Sequence, residues 1–118
     1  MTTSHSPLLR HTSVMLEKAA REHGAPVWQV ASELLSGTAR NRIEVNIGHI
    51  SRLAKAGQAL FVPGKVLGTG LIDKKVVVGA FSFSASARSK IEGSGGSALS
   101  VEQFLKKYPR GSSVKLVK

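Results

Sequence analysis

Cysteine is absent from the 118-residue sequence, which excludes disulfides, thiolate catalysis and cysteine-based zinc sites. Acidic side chains are scarce, with seven Asp and Glu against seventeen Lys and Arg. Glu44, Asp73, Glu92 and Glu102 are far apart and each has a basic residue within four positions, so solvated ion pairing is more economical than paired-carboxylate chemistry. The four histidines, His5, His11, His23 and His49, form no i, i+4 pair enclosing a glutamate, and no metal site is expected. Aromatic residues are 5% of the chain, and Phe61, Phe81 and Phe104 fall within apolar strand or helix patterns. A base-stacking platform of the single-strand-binding type is therefore disfavoured. Met1 to His5 are polar with no long apolar run after them, so neither a secretory signal nor a transmembrane helix is visible. A soluble intracellular protein is the expectation.

What the sequence does have is positive charge, a formal +10 that predicts attraction to a polyanion and says nothing about fold. Its placement is informative. Arg10, Lys18 and Arg21 balance Glu17, Glu22 and Glu33 within the first 39 residues, so the whole surplus falls later in the chain. The opening segment then reads as scaffold and the later two-thirds as partner surface. A hydrophobic content of 42% argues against global disorder, and the length suits one domain with a single modest core.

Ser6-Pro7 fits an N-cap followed by proline at the first helical position, with Leu8, Met15, Leu16 and Ala19 at roughly helical spacing and Gly24 as the stop. Pro26 opens a second helix with a stripe of Val27, Val30, Ala31 and Leu34, ending at Gly37. Trp28, beside that stripe in the neutral third, reads as core. Ile43 and Val45 alternate as a strand that switches to a helix near Asn46, and Gly57 closes that helix. Ala59 to Val62 is a compact strand, Pro63-Gly64 signals a turn, and Val76 to Phe81 is a strand rich in β-branched residues. Ser84 caps a helix carrying Ala87 and Ile91, and Gly93-Ser94-Gly95-Gly96 reads as a tight loop inside one domain. Ser100 with Gln103 makes a capping box, Pro109-Arg110-Gly111-Ser112 ends that helix, and Val114 to Val117 forms a final strand.

Gly64-Lys65-Val66-Leu67-Gly68-Thr69-Gly70 fails as a Walker A loop, because Val66 stands where Ser or Thr must follow the lysine. Glycines there let the main chain lie close to a phosphate. Arg40, Arg42, Lys65, Lys74, Lys75, Arg88 and Lys90 sit mostly in or beside polar or glycine-bearing turns, which makes them candidate contacts. Lys18, Arg21, Lys106 and Lys107 read as solubilising charges on helix faces. The composition fits recognition of folded RNA by shape, phosphate and 2′-hydroxyl contacts. Two alternatives remain open: a free RNA chaperone or regulatory RNA binder, and a small enzyme using Lys65 and Gly95-Gly96 on a phosphorylated substrate.

Several blocks carry a family resemblance. These are Arg21 to Trp28, Arg40-Asn41-Arg42 with Glu44-Val45-Asn46, Val62 to Gly68, Ala80 to Ser84, Gly95-Gly96 with Ala98-Leu99-Ser100, and Pro109 to Ser112. Together and in this order they resemble the large-subunit ribosomal protein of the eighteen-e family of archaea and eukaryotes, related to bacterial ribosomal protein fifteen. The match spans roughly residues 8 to 118, and the compact length looks archaeal. Residues 1 to 6 depart from it in holding no Arg or Lys, and His11-Thr12-Ser13 replaces a more charged first helix.

The resemblance implies an α/β fold, an irregular superhelix of β-β-α units preceded by two N-terminal helices. Residues 1–6 would be flexible, 7–37 a helical scaffold and 38–118 a core with RNA-facing loops, all in a single domain. It implies a structural constituent of the large ribosomal subunit in the cytoplasm, with large-subunit rRNA and neighbouring ribosomal proteins as partners. No enzymatic activity, catalytic residue, cofactor, metal, membrane or small-molecule substrate comes with it. The RNA-binding set expected is Arg40, Asn41, Arg42, Asn46, Arg52, Lys65, Lys74, Lys75, Ser84, Arg88, Lys90 and Arg110.

Overall fold

The computed structural model describes residues 7–36 and 43–118. Its elements run α1 (Pro7–His23), α2 (Pro26–Leu35), β1 (Ile43–Asn46), α3 (Ile47–Leu53), β2 (Ala59–Leu67), β3 (Val77–Phe83), α4 (Ala85–Gly93), β4 (Ser97–Leu99), α5 (Val101–Lys107) and β5 (Val114–Leu116). The fold is α/β with two leading helices, as expected. Among the described residues the β-β-α succession occurs once, at β2–β3–α4. The expectations resting on residues 1–6, on Gly37 and on Arg40, Asn41 and Arg42 lie outside the described residues.

Among the described residues, five strands form one sheet in which every pairing is parallel. β2 is its axis. Along one edge, β2 pairs with β3. The other edge is divided, with Gly64 to Leu67 against β1 and Ala59 to Phe61 against β5. β4 extends the sheet beyond β3, with Val78 opposite Ala98.

A parallel sheet needs cover on both faces, and the alternation along β2 supplies the apolar side chains for each. Leu60, Val62 and Val66 join Ile47 and Ile50 of α3 and Ala87 and Ile91 of α4 in one core. Ala59 and Phe61 face the other way, toward Leu9 and Leu16 of α1, Trp28 of α2 and Phe104 of α5. There Trp28 packs edge-on against Phe61 and Phe104, at centroid distances of 5.3 and 6.0 Å. Trp28 is fully buried, as its place in the neutral third predicts.

Two helix faces differ from expectation. In α1 the buried positions are Leu9, Thr12, Ser13, Leu16 and Ala19, while Leu8 is 65% exposed. In α2 they are Trp28, Ala31, Ser32 and Leu35, while Val30 is 41% exposed. Burial of the large indole rotates α2, and the Ser13 and Ser32 hydroxyls meet at 2.9 Å where the two helices touch. Small hydroxyls permit that approach and satisfy one another. Gly24 does take a left-handed turn after α1, at φ 58°.

Two boundaries also move. α3 ends at Leu53, with Ala54 as its cap, and Gly57 belongs to the following turn at φ 81°. Pro63-Gly64 is no turn: β2 runs through it, with a register shift against β3 between Val62 and Lys65. A proline has no N–H for the ladder and is tolerated at such a break. Gly64 is required by proximity, since a Cβ there would stand 2.1 Å from the Ile43 carbonyl oxygen of β1.

Candidate nucleic-acid interface

Because the strands are parallel, the segments leaving β1, β2 and β3 all start from one end of the sheet. From β1 the chain enters α3 at Asn46, and from β3 it enters α4 at Ser84. The Ser84 hydroxyl accepts the Ala87 amide at 3.1 Å, which caps α4. Asn46 occupies the equivalent place before α3 without a side-chain cap and is exposed.

Between these helices runs the β2–β3 connection, residues 68–76. Two adjacent parallel strands require a crossover, and here an extended strap replaces the usual helix. At its start the Gly48 amide of α3 donates to the Thr69 carbonyl at 3.1 Å, and Lys90 Nζ of α4 donates to the Gly68 and Gly70 carbonyls at 2.8 and 3.0 Å. At its far end Lys74 Nζ donates to the Ser51 carbonyl in the last turn of α3, and the Ser94 hydroxyl donates to the Lys74 carbonyl at 3.1 Å. Ser51 Oγ also donates to Asp73 at 3.3 Å. Ile72 and Val76 turn inward onto the sheet.

α3, the strap and α4 thus form one outer layer, and it is rich in cations. Arg52, Lys74, Lys75, Arg88 and Lys90 of the expected set are all there, and Lys55, which no sequence signal singles out, follows in the turn after α3. Arg52 and Lys74 line an open groove of about 440 Å³ with Gly48, Ser51, Gly70, Leu71 and Asp73. Leu71, at 80% exposure, projects beside it. Its apolar type in a glycine-flanked segment was the only sequence signal for it.

Arg88 is held on three sides. It donates to the Ala98 carbonyl at 3.1 Å, lies over the Phe83 ring at 5.1 Å from the centroid, and faces Glu92 at 3.9 Å. That fixes the guanidinium at the rim of α4 while leaving it exposed. The opposite layer of α1, α2 and α5 carries Glu17, Glu22, Glu33 and Glu102 among its lysines and arginines. A polyphosphate would meet little net attraction there and stronger attraction on the α3–strap–α4 side.

Two expected residues lie apart from this layer. Lys65 projects, exposed, from β2 itself, and Arg110 sits in the turn between α5 and β5. The positions of Lys65 and Gly96 also bear on the enzymatic alternative. Lys65 pairs with Ser82 and Gly96 packs on Val76, so the two are separated by six residues along β3, about 20 Å at strand rise. They enclose no common substrate site. No helix among the described residues is long and apolar enough to cross a membrane.

Residues 44–99, from β1 through the strap to β4, match a family described as ribosomal proteins 50S-L15, 50S-L18e and 60S-L27a. The class is thus that of large-subunit ribosomal proteins, structural and non-enzymatic. Large ribosomal subunit protein eL18 of Pyrobaculum aerophilum is 40% identical over 92% of this chain and 89% of its own length. The protein of the same name from Archaeoglobus fulgidus is 42% identical over 99% of both chains, and that of Methanopyrus kandleri 43% identical over 86% of this chain and 84% of its own. This chain belongs to the eL18 family of large ribosomal subunit proteins.

Proposed function

We propose that this protein binds and stabilises folded rRNA in the large subunit, using the α3–strap–α4 layer as its RNA face. The observation that carries this reading is the gathering of Arg52, Lys55, Lys74, Lys75, Arg88 and Lys90 on one side of the sheet, opposite a charge-balanced helical side. Cations there replace condensed counterions around packed RNA helices, while the parallel sheet holds them in register. Asn46 and Ser84 stand at the entrances to the two helices, and Lys65 and Arg110 extend the contact beyond the layer. The described residues and the remaining three of the expected set, Arg40, Asn41 and Arg42, act within one domain. Neighbouring ribosomal proteins meet the faces that RNA leaves open, and the site of action is the cytoplasmic ribosome.

Salt titration tests this. Binding of the purified protein to large-subunit rRNA should fall about ten- to a few hundred-fold between low and moderate ionic strength. A flat response would remove the reading. Retention on large subunits through a high-salt wash separates a resident from a passing RNA chaperone.

A further inference from the structure

The strap between β2 and β3 has no helix of its own, so its path depends on what it is fastened to. Lys90 gives two of its three ammonium donors to the Gly68 and Gly70 carbonyls. Lys74 caps the end of α3 through the Ser51 carbonyl. That carbonyl would ordinarily wait for the amide four residues on, but the Lys55 amide donates instead to the Gln58 side chain at 3.0 Å. Close packing adds a constraint without adding a bond: a Cβ at Gly70, where φ is 99°, would stand 2.8 Å from the Gly48 Cα. No side chain at Gly48 or Gly70 can brace the crossing.

Arg52 and Lys75 differ from these two lysines. Both are exposed, as Lys90 is, but neither side chain bonds another described residue. Lys74 is half-buried, and its reach is spent on α3.

Resting on the RNA reading above, we propose that Lys74 and Lys90 are positioning residues. They hold the strap in the shape that meets RNA, and the phosphates are met by Arg52 and Lys75 beside it. The cationic layer therefore contains two kinds of cation. One kind organises the surface and the other contacts the partner.

The two roles leave different marks on salt dependence. A lysine on a phosphate contributes about one to the slope of log affinity against log salt, and a clamp contributes nothing to that slope. The full chain is bound to transcribed large-subunit rRNA across a potassium chloride series, and amide hydrogen exchange is followed in the free protein. Lys74→Met and Lys90→Met should each weaken binding about three- to tenfold at every salt concentration through lost pre-organisation, with the slope unchanged. Exchange at the Gly48 amide, bonded to Thr69, should quicken in both. Lys90→Gln, which keeps a donor but no charge, should bind better than Lys90→Met. Arg52→Ala should flatten the slope by about one.

A slope flattened by about one in either Met variant would overturn the proposal, as would unchanged exchange at Gly48 or a Gln variant no better than Met. A wild-type slope near zero would instead remove the RNA reading. The exchange result would still decide whether the lysines clamp the strap.

Discussion

Trp28 Nε1 donates to the Pro109 carbonyl at 2.9 Å, joining α2 to the turn after α5 across 81 residues of sequence. The same indole touches Phe61 of the central strand, so one side chain connects three parts of the chain. Trp28→Phe would leave the carbonyl unpaired and a void beside Phe104. Destabilisation by about 2–4 kcal/mol is expected, read as a lower urea midpoint at unchanged m-value. A loss below about 0.5 kcal/mol would mean that the hydrogen bond is replaceable by water.

Gly64→Ala should be poorly tolerated although Gly64 lies in a strand and has no unusual torsion. The added methyl would meet the Ile43 carbonyl at 2.1 Å, so β1 must move away from β2 or the bulge must reorganise. A cost of about 2 kcal/mol or more is expected, with faster exchange of the β1 amides. Unchanged β1 protection would show that β2 yields instead.

Ser84 belongs to the expected RNA set, yet its hydroxyl caps α4. Ser84→Ala should cost about 1 kcal/mol and Ser84→Gly only a few tenths. Ser100→Ala should cost a similar amount, since it removes the hydroxyl that accepts the Gln103 amide and leaves only the Ser100 amide donating to the Gln103 side chain. Thermal melts of the three variants give the ranking, and equal effects of Ala and Gly at residue 84 would contradict a capping role.

Arg52→Ala combined with Lys75→Ala should lower the salt slope of rRNA binding by about two. Stability should change by no more than about 0.5 kcal/mol, because both side chains are exposed. An unaltered slope would place the phosphates elsewhere on the molecule.

Leu71→Ser probes the apolar projection of the strap. If RNA packs against this side chain, affinity falls about tenfold at all salt concentrations with the slope preserved, since no charge has been removed. No change at any salt would mean that Leu71 faces away from the RNA.

Local chemistry made much of this fold legible. Pro7 and Gly24 bracket α1, Ser100 and Gln103 announce α5, and the switch at Asn46 from strand to helix falls where the spacing of Ile43, Val45 and Ile47 changes. Val27, Val30, Ala31 and Leu34 make an apolar face on their own, but of the four only Ala31 is buried, Val27 packs at the core's margin and Val30 is exposed. Trp28 reads as core from its place in the sequence, and the aromatic partners from β2 and α5 fix how far α2 rotates to bury it. Pro63-Gly64 carries a strong turn signal, and its place within β2 depends on β1 approaching from elsewhere in the chain. The basic residues were visible by type, but not their division between bonded and unbonded side chains. That division depends on carbonyls of the strap, which leave no trace in a pattern of side chains.

The split edge of β2 sets a schedule for maturation. Its Ala59 to Phe61 half is closed only by β5, helped by the Val117 amide donating to the Phe61 carbonyl at 2.9 Å. At ordinary translation speeds, roughly 3–10 s separate the synthesis of these partners. Throughout that interval a newborn chain carries an unzipped, strongly apolar ribbon that invites a wrong strand, so protection by a chaperone counts most before residue 114 emerges.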